Sequence, residues 1–554
     1  MSDPSQERPA GPPDRDASAA GPVDGTRATG EALPPADTRP PVVVVGLGPV
    51  GAAAALLLAR AGVPVVAIDR DLEVYPHPRA VALDDDALRV LQAAGVRDGE
   101  GLDVLPGGTV RIRGRGGRPL VELGPPPTAT GHPGLAFFRQ PQLERVLRER
   151  LEAEPLVDLR LGTTVLGVDA PGDADHDAVL RVTGRDGTAS VLRAPWVLAC
   201  DGGRSAIRTA LGVRLRGTSS PSRWLVVDTD GVAGTGETEA AGPGVRAPAG
   251  PAAFAPADFE FGADPHGPWV HGPLPGGAHR WEFLLPPTAD RGDPDDPAAV
   301  HALLARRCAG PVPEVRRAAV YAFHARVADR WRTGRVLLLG DAAHLSPPFA
   351  GQGLCAGLRD AGNVAWKVAA AWSGTADESL LDTYARERLP HVVATTALAV
   401  GLGLVVELRR ARAASLRDGV LRRVAATRGV RRWIASGGWR PPSTLGAGLL
   451  ARSRPHRGRA GEALPQAGAA APMRDDRLPR AWVVLGAEDA GPLARHGATA
   501  VPWSALPDAE DLRRWLAPAD VALVRPDRVV YGTASAAGCG ALLAEAARTS
   551  AFTG

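Results

Sequence analysis

The sequence predicts an α/β fold with three parts: a Rossmann-like nucleotide-binding domain, a domain of antiparallel sheet inserted into it, and a small α/β unit at the C-terminus. Two short segments and one change of rhythm carry that expectation. The first segment is Val42-Val43-Val44-Val45-Gly46-Leu47-Gly48-Pro49-Val50-Gly51, with an acid at Asp69. The second is Gly334-Arg335-Val336-Leu337-Leu338-Leu339-Gly340-Asp341-Ala342-Ala343-His344, far downstream. Between them the alternation of strands and helices gives way to short strands separated by Gly/Pro turns.

Each element of the first segment has a physical reason. Four consecutive valines suit a strand buried on both faces of a parallel sheet. Gly46 permits the tight turn, Gly48 lets the backbone approach a phosphate, and Gly51 lets the helix pack on the strand. The amides at the helix start then face the anion. Ala52 to Ala61 is rich in strong helix formers, and Gly62 can end the helix. Val65 to Ile68 is the second strand. Asp69 ends it about 20 residues past the glycines, where a carboxylate can bind a ribose hydroxyl rather than a 2′-phosphate. The second segment is a buried strand ending in Gly340-Asp341. Two such strand ends suit one long dinucleotide cofactor, which points to FAD and redox chemistry.

Composition limits the alternatives. A chain of 554 residues is long enough for two to four domains. Its net charge of +3 gives no global field for nucleic acid, and Lys367 is its one lysine among many arginines. Cys200, Cys308, Cys355 and Cys539 are far apart and form no Cys-x-x-Cys pair or metal-ligand cluster, so no metal is expected and a reduced, cytoplasmic protein is the simplest reading. The start of the chain has no basic-then-apolar signal segment. Pro41 to Ala59 is apolar, but the phosphate turn explains it. Val392 to Val406 is too short to span a bilayer and reads as a packed helix, so no membrane partner is expected.

Residues 1–40 lack aromatic side chains and are rich in Pro, Gly, Asp and Arg, as in a disordered tail. The nucleotide-binding domain is expected over 41–215 and 321–440. The inserted sheet domain is expected over 216–320, with strands from 105–125. Arg223-Trp224-Leu225-Val226-Val227-Asp228 and Arg280-Trp281-Glu282-Phe283-Leu284-Leu285 exemplify its strands. Residues 441–469 read as a linker, and Trp482-Val483-Val484-Leu485-Gly486 opens the last unit, over 470–554.

These motifs resemble those of the FAD-dependent aromatic hydroxylases of the para-hydroxybenzoate hydroxylase fold, and most closely the 3-(3-hydroxyphenyl)propionate hydroxylases. The resemblance spans about Pro41 to Val406. It rests on the glycine turn with Asp69-Arg70, on Ala199-Cys200-Asp201-Gly202-Gly203-Arg204-Ser205-Ala206-Ile207-Arg208, and on Gly340-Asp341 through Ser346-Pro347-Pro348-Phe349-Ala350-Gly351-Gln352-Gly353. It implies that Asp201, Gly202 and Arg204 serve both FAD and a nicotinamide cofactor, and that Asp341 holds the ribityl chain. Arg79, in Pro78-Arg79-Ala80-Val81-Ala82-Leu83-Asp84, and Gln140, in Phe138-Arg139-Gln140-Pro141, resemble residues that reach the flavin. Tyr321 to Arg326 and Leu381-Asp382-Thr383-Tyr384 resemble the hydroxyphenylpropionate branch. Cys355 stands where many relatives carry Asn. Residues 470–554 resemble the thioredoxin-like tail of larger members. With no Cys-x-x-Cys there, a packing or homodimer role is expected rather than disulfide exchange.

The turn at Pro348, Phe349 and Gly351 leads into a helix at Gly353 and Leu354. Its positive end could stabilise negative charge on a reduced flavin ring. Trp224, Trp281, Phe283 and Phe323 are candidates for an aromatic pocket, though core packing is the better reading for any one of them, and Phe349 is expected at the same pocket. Arg280 could pair with a substrate carboxylate or form an ordinary ion pair. His271 and His324 are weak candidates for a group that activates a phenol, and His344 reads as packed beside its strand. No second glycine-rich fold is present, so NADH or NADPH would visit the FAD domain transiently. The resemblance implies a cycle in which NAD(P)H reduces the flavin, dioxygen adds at flavin C4a, and the hydroperoxide hydroxylates a small aromatic substrate. A phenylpropionate-like acid is the first expectation and a larger aromatic natural product the second. A flavin reductase or redox-sensing flavoprotein that does not oxygenate is the alternative from another class.

Overall fold

The computed structural model describes residues 39–76, 79–125, 127–170, 176–230, 258–286, 296–308, 311–466, 473–506 and 508–549. The expected tail falls outside these residues up to position 38, as does much of the stretch between the strands that end at Asp230 and begin at Phe259.

A six-stranded sheet forms the nucleotide-binding domain. Its order is Arg332–Thr333, Val336–Leu338, Val197–Ala199, Val42–Val45, Val65–Asp69, Val157–Leu161. Every pair is parallel except the first. The four valines hold the middle and are at most 6% exposed, as a strand covered on both faces requires. The helices Pro49–Ala59 and Gly353–Ser373 pack on each other, and Pro49–Ala59 also packs on Gln140–Glu152. The carboxyl ends of Val42–Val45, Val197–Ala199 and Val336–Leu338 therefore lie side by side, which is where open α/β sheets bind ligands.

The inserted domain is an eight-stranded sheet. Its order is His344–Leu345, Glu314–Ala328, Leu215–Asp230, His279–Leu284, Trp269–Pro273, Phe259–Gly262, Val110–Arg113, Pro119–Leu123. The strand Glu314–Ala328 carries no Gly or Pro and stays paired along its length, so this sheet continues past the expected boundary at 320. The segment Tyr321 to Arg326 lies within it.

The helix Thr383–Val406 is longer than the expected 392–406 segment, because its first turns carry Arg386, Glu387 and Arg388 and escape an apolar window. By length and composition it could cross a bilayer. Glu387, Arg388, His391 and Val392 are buried on one face, while Leu389, Val393, Val400 and Leu404 are exposed.

The C-terminal unit is a four-stranded mixed sheet, ordered Thr499–Val501, Val483–Leu485, Val521–Val524, Val530–Ala534, with helices Ala509–Leu516 and Cys539–Ala547. The expected linker is packed rather than free over its described residues: Leu449 and Ala451 are buried, and the amides of Ala451, Gly461 and Leu464 donate to the carbonyls of Tyr531, Val530 and Arg528. A buried ionic cluster ties this unit to the nucleotide-binding domain. Arg525 grips Glu387 at 2.8 and 3.0 Å, and Lys367 donates to the same carboxylate at 2.7 Å. Burial lowers the Lys367 pKa to about 8 even beside Glu387. Trp366 and Trp482 meet edge to face at 5.9 Å.

Candidate active site

The glycine turn is built as its sequence requires. Gly46 has φ +90°, and a Cβ there would sit 2.5 Å from the Cys200 carbonyl oxygen. A Cβ at Gly51 would clash with the Gly46 carbonyl oxygen, so this glycine sets the approach of helix to strand. A Cβ at Gly48 would meet nothing within 4 Å, and Gly48 lines the main cavity. Asp69 accepts the Leu47 amide at 2.6 Å and the Asp71 amide at 2.9 Å, so it fixes the turn as well as facing the cavity.

The Asp201 segment lies against this turn. Asp201 Oδ2 accepts the Ile207 amide at 3.1 Å, while its Oδ1 is buried with no partner among the described residues. Gly202 has φ +80°, and Arg204 is exposed at the cavity edge. Sequence reasoning gave Arg208 no role. Its guanidinium donates to the carbonyls of Ala342 (3.1 Å) and Gly203 (2.9 Å), joining this segment to Gly340-Asp341.

Gly340 has φ +55°, and a Cβ there would press on Val50 at 3.2 Å. Asp341 opens onto the cavity but is ringed by protein, and that desolvation raises its pKa. Behind it lies a buried group with no local signature. Asp360 accepts from His344 at 2.7 Å, Arg388 at 3.0 Å and the Gly340 amide at 3.2 Å. Burial alone would raise the Asp360 pKa, but His344 and Arg388 hold it below the ordinary value. His344 is thus the packed side chain expected, with a defined task of holding the strand end. The turn through Pro348, Phe349 and Gly351 then delivers Gly353 and Leu354, the start of a 21-residue helix, to the cavity. The Cys355 side chain turns away from it, toward the carbonyls of Gly351 (3.6 Å) and Ala82 (3.8 Å).

Gln140 acts on backbone: its Oε1 accepts the amides of Arg79 (3.0 Å) and Ala80 (2.8 Å), and its Nε2 donates to Glu144 at 2.7 Å. Arg79 is exposed at the cavity with its guanidinium over the Tyr75 ring, and Arg70 is exposed beside Asp71. All fifteen residues expected to hold the cofactor border this cavity except Gly340, which is buried under Val50 and shapes the strand end.

The cavity has a volume of about 570 Å³. It runs from the glycine turn to an apolar wall that includes Val110, Ile112, Phe259, Phe261, Val270 and Phe349. The residues expected at the substrate end are placed differently. Phe349 lines it. Trp224 is fully buried behind Phe349 (ring centroids 5.5 Å apart) and donates its indole N–H to Glu407. Phe323 packs on both rings without reaching the cavity. Arg280 is a correction: it forms a buried bidentate pair with Asp228 (2.7 and 2.9 Å) and donates to the Arg79 carbonyl at 3.0 Å. Phe283 is another, lying on the opposite face of the sheet with Leu225 and Trp269. His271 is on that face too, buried against His279 at 2.9 Å, and desolvation holds its pKa well below the ordinary value. His324 pairs with Ser219 at 2.8 Å and does not border the cavity. Pro348 does. The described residues contain no cluster of ligands for a metal ion.

These residues fit FAD. Turn amides at a helix start suit a pyrophosphate, Gly48 leaves room for it, and Asp69 and Asp341 offer acceptors to sugar and ribityl hydroxyls. The orphaned Asp201 Oδ1 is a further acceptor at the same place.

A sequence model of the FAD binding domain family matches residues 39–399. The 3-(3-hydroxyphenyl)propionate/3-hydroxycinnamic acid hydroxylase 2 of Burkholderia vietnamiensis is 37% identical over 413 residues, covering 74% of this chain and 71% of the relative. Among solved structures, the flavin-dependent monooxygenase PieE, crystallised with FAD and substrate, superposes with a TM-score of 0.75 at 23% identity, covering 92% of this chain and 99% of that one. Aklavinone-11 hydroxylase with FAD and aklavinone gives 0.69 at 22% identity, over 92% and 98%. The structural likenesses show the fold; the sequence matches show the family. The chain belongs to the FAD-binding-domain family, among the FAD-dependent aromatic monooxygenases.

Proposed function

We propose that this enzyme consumes NADH or NADPH and dioxygen to hydroxylate a phenolic ring, and that its substrate is a small hydroxyphenyl acid of the phenylpropionate type. The observation that carries the reading is the continuity of the cavity, which joins the nucleotide-holding strand ends to an apolar sheet wall. A substrate ring on that wall would lie next to whatever occupies the turn from Pro348 to Leu354. The level of identity to a hydroxyphenylpropionate hydroxylase supports the substrate class.

FAD supplies the redox chemistry when bound: it accepts a hydride and activates dioxygen. The chain's own residues position and insulate. Gly46 to Gly51 would present amides to the pyrophosphate, and Asp341 would accept from the chain that leads to the ring. Asp360, through His344, Arg388 and the Gly340 amide, holds that strand end still. The start of the Gly353–Ser373 helix presents its positive end where negative charge would gather. Phe349, Phe261, Val270 and Ile112 exclude water from the substrate end.

With Arg280 closed in its pair with Asp228, a substrate carboxylate would have to use another cavity cation such as Arg79. That arrangement favours, as the second reading, a larger uncharged aromatic. Oxidation of NADH and of NADPH, followed with and without 3-(3-hydroxyphenyl)propionate and a panel of larger phenols, tests both. The proposal expects oxidation to accelerate with a phenolic compound and a hydroxylated product to accumulate. Fast turnover that ignores every phenol and yields only peroxide would overturn it.

A further inference from the structure

One row of side chains crosses the cavity face of the inserted sheet. Strand register aligns Ile112, Phe261, Val270, Glu282, Val226 and Ala319 on six neighbouring strands. Five are apolar. The sixth, Glu282, lines the cavity, and it is the one ionisable side chain that the described strands of this sheet contribute to the lining. Its neighbours on that face explain the contrast with Arg280. Asp228 and Arg280, two residues along their strands, satisfy each other, as does the more distant pairing of Asp228 with Arg317 at 3.7 Å. No described residue gives the Glu282 carboxylate a hydrogen bond or an ion pair. Glu282 is half-buried, so its acceptor stays open to whatever enters the cavity, in a sheet wall that is otherwise apolar.

Resting on the monooxygenase reading above, we propose that Glu282 accepts a hydrogen bond from the ring hydroxyl of the aromatic substrate, and so selects phenols over unhydroxylated arenes and fixes which ring carbon faces the reacting end of the cavity. A phenol offers one donor on an otherwise apolar disc, which matches one acceptor in an otherwise apolar row. The same contact polarises the O–H bond, raises electron density on the oxygen and through it in the ring, and so makes the ring a better nucleophile. Desolvation raises the Glu282 pKa, with Arg280 opposing and Asp228 adding to the shift, which makes this carboxylate a stronger acceptor than an exposed one.

The test is a ligand–mutant cycle on FAD-loaded enzyme. Binding of 3-(3-hydroxyphenyl)propionate and of 3-phenylpropionate is read from the change each causes in the flavin absorbance spectrum, in wild type, Glu282→Gln and Glu282→Leu. Wild type should prefer the hydroxylated ligand by about tenfold or more, the worth of one hydrogen bond to a charged acceptor. Glu282→Leu should bring the preference close to one, and Glu282→Gln should leave it intermediate, all three retaining FAD. A side chain that only supports the fold would weaken both ligands alike. If the leucine variant loses its flavin, the glutamine variant decides: an unchanged preference overturns the assignment. Wild type that shows the preference and a leucine variant that keeps it would overturn the role of Glu282 alone. Wild type that binds neither ligand would overturn the hydroxyphenyl reading and this proposal with it.

Discussion

The two ends of the cavity are held by different parts of the chain. At the nucleotide end the surface is built on backbone: three adjacent strand ends, two of them leading within two residues to glycine, with carboxylates behind or beside them. At the sheet end the surface is side chain: residues from five strands, from Val110 to Glu282. At Gly46 and Gly51 the backbone has almost no tolerance for an added carbon, because the space beside each is already filled. A side-chain surface can change in size and polarity while the sheet beneath it persists. The nucleotide end is therefore rigid in sequence and general in ligand, and the sheet end is where specificity can vary.

The sharpest way to break this contrast is Gly51→Val. The new side chain has nowhere to go but into the Gly46 carbonyl, so the protein should lose bound flavin entirely or fail to fold. Val270→Ala, at the sheet end, should stay yellow. Flavin absorbance and near-UV circular dichroism on both variants check this, and equal retention would contradict the contrast.

Acid should act on buried histidines of both domains next. Desolvation lowers the His279 pKa to about 3 and, with Arg359 and Arg388 adding, the His391 pKa to about 2, from an ordinary 6.5. The unfolded chain takes up these protons near pH 6.5 while the native state resists, so stability is full above that pH and declines as pH falls toward 3. The slope is about 1.4 kcal/mol per pH unit for each histidine. Asp360, held low by His344 and Arg388, keeps its contribution until pH falls through the carboxylate range. Thermal unfolding from pH 8 to 4 should show the decline beginning near 6.5, and His279→Gln should make it shallower by about 1.4 kcal/mol per pH unit while His391 keeps its share. A flat profile in wild type would contradict buried neutral histidines.

Within the nucleotide end, Asp341→Ala should weaken FAD retention about tenfold, near the cost of one charge-assisted hydrogen bond. Asp69→Ala should weaken it less, since much of the Asp69 carboxylate is spent on the Leu47 and Asp71 amides. Equilibrium dialysis of FAD measures both, and the reverse order would exchange the assigned roles. The smallest effect is expected far from either end. Cys539 is half-buried at the start of the Cys539–Ala547 helix with no partner thiol, so Cys539→Ser should leave turnover unchanged.

The same contrast explains what the sequence revealed. The glycine turn, the Asp201 segment and the Gly340 strand are contiguous, so each can be read from a few adjacent residues. Asp360 and Arg388 lie 28 positions apart on different helices, and nothing local announces that they meet. The sheet wall suffered most. Arg280 and Phe283 were both expected in the pocket, yet they differ by an odd number of positions in one strand and must point to opposite faces. Parity alone would have separated them and would have placed Glu282 with Arg280. What parity could not give is that Asp228 occupies Arg280, because that pairing depends on register between strands 52 residues apart. The domain boundary near 320 was missed for a related reason: a long strand without Gly or Pro offers no punctuation where the chain leaves the sheet.

In the proposed reaction one cavity brings a flavin and a phenolic ring together for oxygen transfer. The most direct test is turnover of a phenol accepted by the enzyme under ¹⁸O-labelled dioxygen, with NADH or NADPH as reductant and the product weighed by mass spectrometry. One ¹⁸O atom is expected in each hydroxylated product molecule, with reductant consumption that keeps pace with product. A product without label, or reductant consumed only to make labelled peroxide, would contradict it.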